Sequence, residues 1–169
     1  MGGSTGHASL ALAERFPKLK FIVQDVSDVI KDSVKRFEKR ELPVPIASRI
    51  QFQEHSFFIL QPVKSASVYL LRHILHDWLD KEAIQILRNI IPVLGKQSKI
   101  IISDIILPQQ GSIPAIEERV MRMNDLLLHQ FTNTSERAFT EWEAIVAAAD
   151  DRLHVKRVYR NAGSILSLM

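Results

Sequence analysis

Apolar residues along the chain keep two rhythms in turn, one helical and one alternating or continuous. Ser9 to Arg15, rich in alanine and leucine, predicts a helix, and Lys20 to Gln24 a short apolar strand. From Ser27 to Arg40 the positions Val29, Ile30, Val34 and Phe37 share one helical face. The stretch "ELPVPIAS" carries two prolines and reads as a connector. Arg49 to Glu54 alternates as a strand, and the unbroken apolar run in "SVYLLR" (Ser67 to Arg72) reads as a buried one. Asp80 is the expected N-cap of a helix through "KEAIQILRNIIPVL", with Ala83, Ile86, Leu87 and Ile90 on one stripe and Gly95 as the stop signal beyond it. "SKIIISDIIL" carries the strongest strand signal. A long helix over 115–131, a Thr140-capped helix to Ala149 and two closing strands around 153–160 and 163–168 complete the pattern, without repeats or low-complexity tracts.

Strands alternating with helices at this spacing imply an α/β fold, a mostly parallel sheet covered by helices on both faces. The last two strands, joined by "NAG", predict an antiparallel hairpin at the sheet edge. Such sheets bind ligands at the carboxyl ends of their strands, where the connection direction reverses. Candidate chemistry is therefore sought there.

Composition narrows the field. With 46% hydrophobic and 24% charged residues over 169 positions, the chain reads as one soluble globular domain spanning 1–169. A net charge of +3 with scattered basic residues argues against nucleic acid or a membrane surface as partner. No apolar run approaches the ~20 residues of a membrane span. The chain has no cysteine, which excludes disulfides and thiolate chemistry and, with no basic-then-apolar leader, favours a cytoplasmic location. Metal binding would fall to six scattered histidines and the carboxylates; without a His-x-x-x-His or Glu-x-x-His pair, no metal site is expected.

Four features could carry chemistry. The turn Gly2-Gly3-Ser4-Thr5-Gly6 runs into the first helix, and Asp25 follows 19 positions after Gly6 at the tip of the next strand. An acidic residue so placed can accept both hydroxyls of a ribose; a plain turn with an incidental aspartate is the alternative. The loop has no Gly-Lys-Ser/Thr, so nucleoside triphosphate is not its ligand. In "LLRHILHDWLD", strand alternation sends Leu71 and His73 one way and Arg72 the other, and His76 arrives at the strand's carboxyl end beside Asp77. Imidazole, with a pKa of about 6.5, is able to accept a proton near neutrality. His73, mid-segment, reads rather as a structural group. Asp104, inside "IIISDIIL", is an odd charge for a strand unless it has a partner or faces a ligand. Glu136 lies in "TNTSERAFT", between helices. Singly, each carboxylate has an ordinary explanation; with His76 they compose an imidazole oriented by acids, as general-base catalysis requires.

The segments "GGSTGHASLALAERFPKLKFIVQDV", "FQEHSFF", "VYLLRHILHDWLDKEAIQILRNIIPVL", "SDIILP" and "SERAFTEWEAIVAAAD" resemble, in order, the catalytic domain of S-adenosylmethionine-dependent O-methyltransferases of the caffeic-acid type, above all those of fungal natural-product pathways. The resemblance implies a Rossmann-like methyltransferase sheet. It implies that Gly2, Gly3, Gly6, Asp25, Ser56, Phe57, Arg72 and Trp78 hold the cofactor S-adenosylmethionine, with Asp25 at its ribose and Trp78 at its adenine. It further implies that His76 removes the proton of a substrate hydroxyl, with Asp104 and Glu136 steering its ring, and that Met121 and Asn124 on the 115–131 helix meet an aromatic or polyketide-like acceptor.

Three departures from the family pattern stand out. Relatives carry a strand before the glycine turn, central in the sheet between those formed here by 20–24 and 67–72, and before it a helical dimerisation segment. The chain is expected to lack both, so that a preceding segment or a partner chain, in a homo-oligomer or otherwise, would supply the strand, or a rearranged sheet would let its neighbours close the gap. Ser56 stands where an acidic residue is usual, keeping a hydrogen bond but no charge. "TNTS" replaces the usual Gly and Lys before the Glu-Arg pair. Two alternatives to methyl transfer thus stay open: an accessory subunit completed by a partner, and a pathway enzyme that reuses the scaffold for dehydration or pericyclic chemistry.

Overall fold

The structure, a computed structural model, describes residues 1–40, 42–160 and 164–169. It consists of two compact units, Met1–Ile59 and Leu60–Met169.

In the first unit, α1 (His7–Arg15), β1 (Phe21–Asp25), α2 (Ser27–Glu38), α3 (Val44–Ala47) and β2 (Ile50–Glu54) follow one another. The two strands pair in parallel, from Phe21 opposite Ile50 to Asp25 opposite Glu54. Ala13, Val23 and Ile50 form a small core, backed by Leu10, Phe21, Phe37, Ile46 and Phe52. The Phe37 and Phe52 rings meet edge-on at 5.1 Å, the arrangement that aromatic quadrupoles favour. Arg49 donates to the carbonyls of Ala13, Phe16, Leu19 and Pro45, so one guanidinium satisfies the frayed end of α1. The expected connector contains a helix: Pro43 sits at the cap of α3 and Pro45 in its first turn, where the missing N–H has no intrahelical partner to lose. Glu41, the first residue of that stretch, lies outside the described residues.

The second unit runs β3 (Val68–Arg72), a 3-10 turn (Leu75–Asp77), α4 (Asp80–Ile90), a second 3-10 turn (Ile91–Val93), β4 (Lys99–Leu107), α5 (Ala115–Thr132), β5 (Arg137–Ala138), α6 (Phe139–Ala149), β6 (Tyr159–Arg160) and β7 (Leu166–Leu168). The strand order is β3-β4-β7-β6, with β5 paired to the end of β4. β3 lies parallel to β4, Leu71 opposite Ile102. β7 runs antiparallel to β4, Asp104 opposite Ser167, and to β6. The core gathers Leu71, Ile86, Leu87, Ile90, Ile105, Trp142 and Ile145. The Trp142 indole, fully buried, donates to the Ile105 carbonyl at 3.1 Å, which gives the largest core side chain one orientation. Among the described residues, no helix is long and apolar enough to cross a membrane.

The expected α/β class holds, with a parallel pair in each unit, but the strands form two sheets rather than one. Among the described residues, β1 pairs in a ladder only with β2 and β3 only with β4. Local signals misled in three places. Asp80 does not cap α4; Leu79 holds the cap position and the Asp80 carboxylate turns to Arg137. Pro92, which has no N–H to donate, closes α4 well before Gly95. Thr140 does not cap α6, because Ala138 occupies that place and donates its N–H to Glu141 at 2.7 Å. The closing hairpin forms with shorter strands than expected, and its "NAG" turn lies outside the described residues.

Truncating Trp142 would leave a cavity and an unpaired carbonyl inside the second unit. Trp142→Ala in the full-length protein is expected to cost about 3–5 kcal/mol, read from urea unfolding midpoints.

Candidate functional site

In the first unit the glycine turn lies directly on β1. Gly2 and Gly6 have φ of 60° and 74°. A Cβ on Gly3 would stand 2.7 Å from the Val23 side chain, and one on Gly6 3.2 Å from the Phe52 ring. At Gly6 the backbone and the approach together call for glycine. The Gly3 N–H donates to the Gln24 carbonyl at 2.9 Å. Asp25 fastens the turn: it accepts the Ser4 N–H on one carboxylate oxygen at 2.9 Å and the Val26 N–H on the other at 2.8 Å. A carboxylate offers about four lone-pair positions, and an acceptor set at a strand tip beside a glycine turn fits the hydroxyls of a ribose. Ser56 spends its hydroxyl oxygen on the Phe58 N–H, and the Phe57 ring packs edge-on against Phe58 at 5.0 Å. His55, unnoticed in the sequence, is buried with its Nε2 unpartnered and its N–H on the Asp25 carbonyl; burial holds its imidazole below the usual range.

The second unit assembles the acid–base group. β3 ends at Arg72, whose side chain is exposed, and the strand alternation expected through His73 stops there. His73 has a φ of 52° and swings the chain into the 3-10 turn that presents His76. A left-handed histidine at such a point is backbone strain of the kind found where a side chain must be aimed. The two imidazoles lie 5.1 Å apart, and burial, with the charges of His76 and Arg72, lowers that of His73.

His76 Nδ1 lies 3.0 Å from a Glu136 carboxylate oxygen, and its Nε2 is 3.6 Å from Asp77, beyond hydrogen-bonding distance. With Nδ1–H donated to Glu136, Nε2 carries the lone pair. The Glu136 N–H donates to Asp125 on α5 at 2.8 Å, and the Thr134 hydroxyl to the His76 carbonyl at 2.8 Å. Asp104 is fully buried on β4, and neither of its oxygens has a hydrogen-bond partner. His73, His76 and Asp104 each bring one polar atom within 4.8 Å of the others, so two rings and a carboxylate act as one electrostatic unit. Burial pushes the Asp104 carboxyl up to about 7; His76 and the neighbouring His73 N–H oppose this, while Glu136 and Asp77 add to it. Burial lowers the His76 imidazole, yet the hydrogen bond to Glu136 and the charges of Asp104, Glu136 and Asp77 together leave it above its ordinary value.

The three expected acid–base residues thus converge, as do the glycine turn and Asp25. Trp78 is half-buried and offers its carbonyl to Arg137. Met121 and Asn124 are half-buried on α5, and the Asn124 amide donates to the Val120 carbonyl of its own helix. Asp125, Thr134 and Arg137 escaped notice in the sequence. Arg137 is buried, and its guanidinium donates to the Leu75 carbonyl at 2.9 Å, the Trp78 carbonyl at 2.6 Å and Asp80 at 3.0 Å.

Comparison with known proteins bears on the family. The profile of a family described as the O-methyltransferase domain matches residues 1–150. The O-methyltransferase bfoD of Aspergillus brasiliensis is 66% identical over the whole chain, which spans 40% of that relative. Among solved structures, LepI in complex with SAM is 29% identical over 99% of the chain and 40% of its own, with a TM-score of 0.83. A structure described as a pericyclic reaction enzyme matches with the same TM-score, 0.83, and the same identity, 29%, over 99% of this chain and 40% of that one. The chain therefore spans about two-fifths of the relatives it matches.

Asp104 gives a test by stability. Its carboxyl is raised in the folded state, so the protonated form stabilises the fold at low pH, and that stabilisation is lost as pH rises towards 7. Above that pH the buried charge costs a few kcal/mol, at most about 4. Asp104→Asn is expected to unfold at higher denaturant than the wild type at pH 8, and the gain is expected to fade between pH 7 and pH 4.

Proposed function

The chain belongs to the O-methyltransferase domain family, and from that premise we propose that it serves to transfer a methyl group from S-adenosylmethionine to a hydroxyl of an aromatic or polyketide-like small molecule, with His76 as the base. The observation that carries this reading is the hydrogen bond of His76 Nδ1 to Glu136 at 3.0 Å, which leaves the lone pair on Nε2, in a group where one polar atom each of His76, His73 and the buried Asp104 lie within 4.8 Å of one another.

A phenolic hydroxyl has a pKa of about 10 and needs help to become a nucleophile at neutral pH. His76 Nε2 takes its proton as the oxygen is methylated. The imidazolium that forms is stabilised by Glu136 through the hydrogen bond and by Asp104 through its charge. An imidazole raised above its ordinary value is a stronger base, and the two acids supply that rise. S-Adenosylmethionine supplies a methyl group already activated on a sulfonium. Gly2, Gly3, Gly6, Asp25, Ser56, Phe57, Arg72 and Trp78 would hold it, with Asp25 accepting from the ribose. Met121 and Asn124 would meet the acceptor. A chain that covers two-fifths of its relatives supports a strand supplied by a preceding segment or a companion chain.

A second reading is favoured by one observation, the likeness at 29% identity to a pericyclic reaction enzyme. The same imidazole and acids can polarise a bound carbonyl or hydroxyl with no group transferred. Radiolabelled methyl transfer separates the two, since a rearranged product without label would favour the second.

His76→Ala in the full-length protein is expected to lower turnover by about 10²–10⁴-fold while calorimetry shows cofactor binding retained; unchanged turnover removes His76 from the mechanism. The wild-type kcat/KM is expected to rise with pH, because His76 must be neutral to accept the proton. The inflection should lie above the ordinary imidazole value of about 6.5, and a pH–rate profile with its rise below that value contradicts the raised imidazole.

A further inference from the structure

One buried charge near the acid–base group remains without a role. Arg137 leaves 5% of its surface exposed, so its charge must be met by partners inside the protein. Those partners are unusual in their placing. Two are the carbonyls of Leu75 and Trp78, which bracket His76 in the chain, at 2.9 and 2.6 Å. The third, Asp80, is largely exposed, so its ion pair adds little. The carbonyl oxygens carry the geometry.

From these contacts we propose that Arg137 is a positioning residue that holds the 75–78 turn so that the His76 ring meets Glu136. This rests on the reading of His76 as the base. Three nearby residues grip one turn from different sides. Thr134 holds the His76 carbonyl, Glu136 holds the ring and Arg137 holds the backbone on either side. The planar guanidinium fork presents its N–H groups in fixed directions, which a lysine ammonium does not. Its other face is fixed as well: the guanidinium carbon stands 5.2 Å over the Trp142 ring, and the Trp142 indole is bonded to the carbonyl of Ile105, next to Asp104. β5, which carries Arg137, pairs with Ile106 on that same β4. One side chain thus ties the strand bearing Asp104 to the turn bearing His76. Arg137 makes no contact with a reacting atom; it acts through the turn.

The test uses the full-length protein and three variants, Arg137→Gln, Arg137→Lys and Arg137→Ala. Two readouts are followed: steady-state methyl transfer, and the titration of His76 by NMR with ¹⁵N-labelled histidine. Arg137→Gln is expected to lower kcat by about 10²-fold, the scale of a misplacement of about 1 Å, with KM within about 2-fold. The His76 titration should fall towards the ordinary imidazole value as the ring drifts from Glu136. Arg137→Lys should recover part of both, and added guanidinium should restore part of the turnover of Arg137→Ala. An unchanged kcat overturns the proposal. A loss of kcat with an unmoved His76 titration and no rescue by guanidinium overturns it too, since a merely structural arginine would behave so. Should Arg137→Gln not fold, Arg137→Lys decides by the same two measures. Should the wild type transfer no methyl group, the catalytic reading fails while the His76 titration still decides what Arg137 does.

Discussion

Burying ionisable groups in a small fold is costly, and the second unit does so at four neighbouring positions. Asp104, Glu136 and Arg137 are all at least 95% buried, and His76 is largely so. Each can persist only because another answers it, or because its protonation adapts. Arg137 finds two carbonyls and a carboxylate; His76 and Glu136 find one another. Asp104 finds no hydrogen-bond partner and answers with a raised carboxyl. The unit accepts a destabilising group at Asp104, and the apolar packing around Trp142 and α4 offsets it.

Much of this was legible in the amino-acid order. Continuous apolar runs located β3 and β4, and helical spacing located α4 and its buried stripe, because those signals come from the core itself. His76, Asp104 and Glu136 stood out as polar residues at places where strands end or where a strand should hold none. Arg137 did not, since a buried arginine and a solvated one look alike until their acceptors, here main-chain carbonyls up to 62 residues away in sequence, are known. Caps failed for a related reason. Asp80 has the right chemistry for an N-cap, but the helix begins one residue earlier than that role needs, and its carboxylate meets Arg137 instead.

The first unit shows another division of labour. Asp25 was singled out for a ligand, yet it already serves the backbone, where two N–H groups bind it to the turn it would share with that ligand. The same carboxylate shapes the loop from both of its oxygens. His55 joins it through its own N–H, which brings a second strand end to the same carbonyl-rich corner. Sequence spacing found the aspartate but could not show that it works first as a fastener.

Helix α5 buries none of its residues, and Ile116, Leu126 and Phe131 stand well exposed on it. An 18-residue helix so placed draws little rigidity from packing of its own. Yet its Asp125 is what grips the main chain of Glu136. The main chain that carries the acid beside His76 is thus held by a helix whose own apolar side chains stand uncovered, so its hold is only as firm as that helix is fixed.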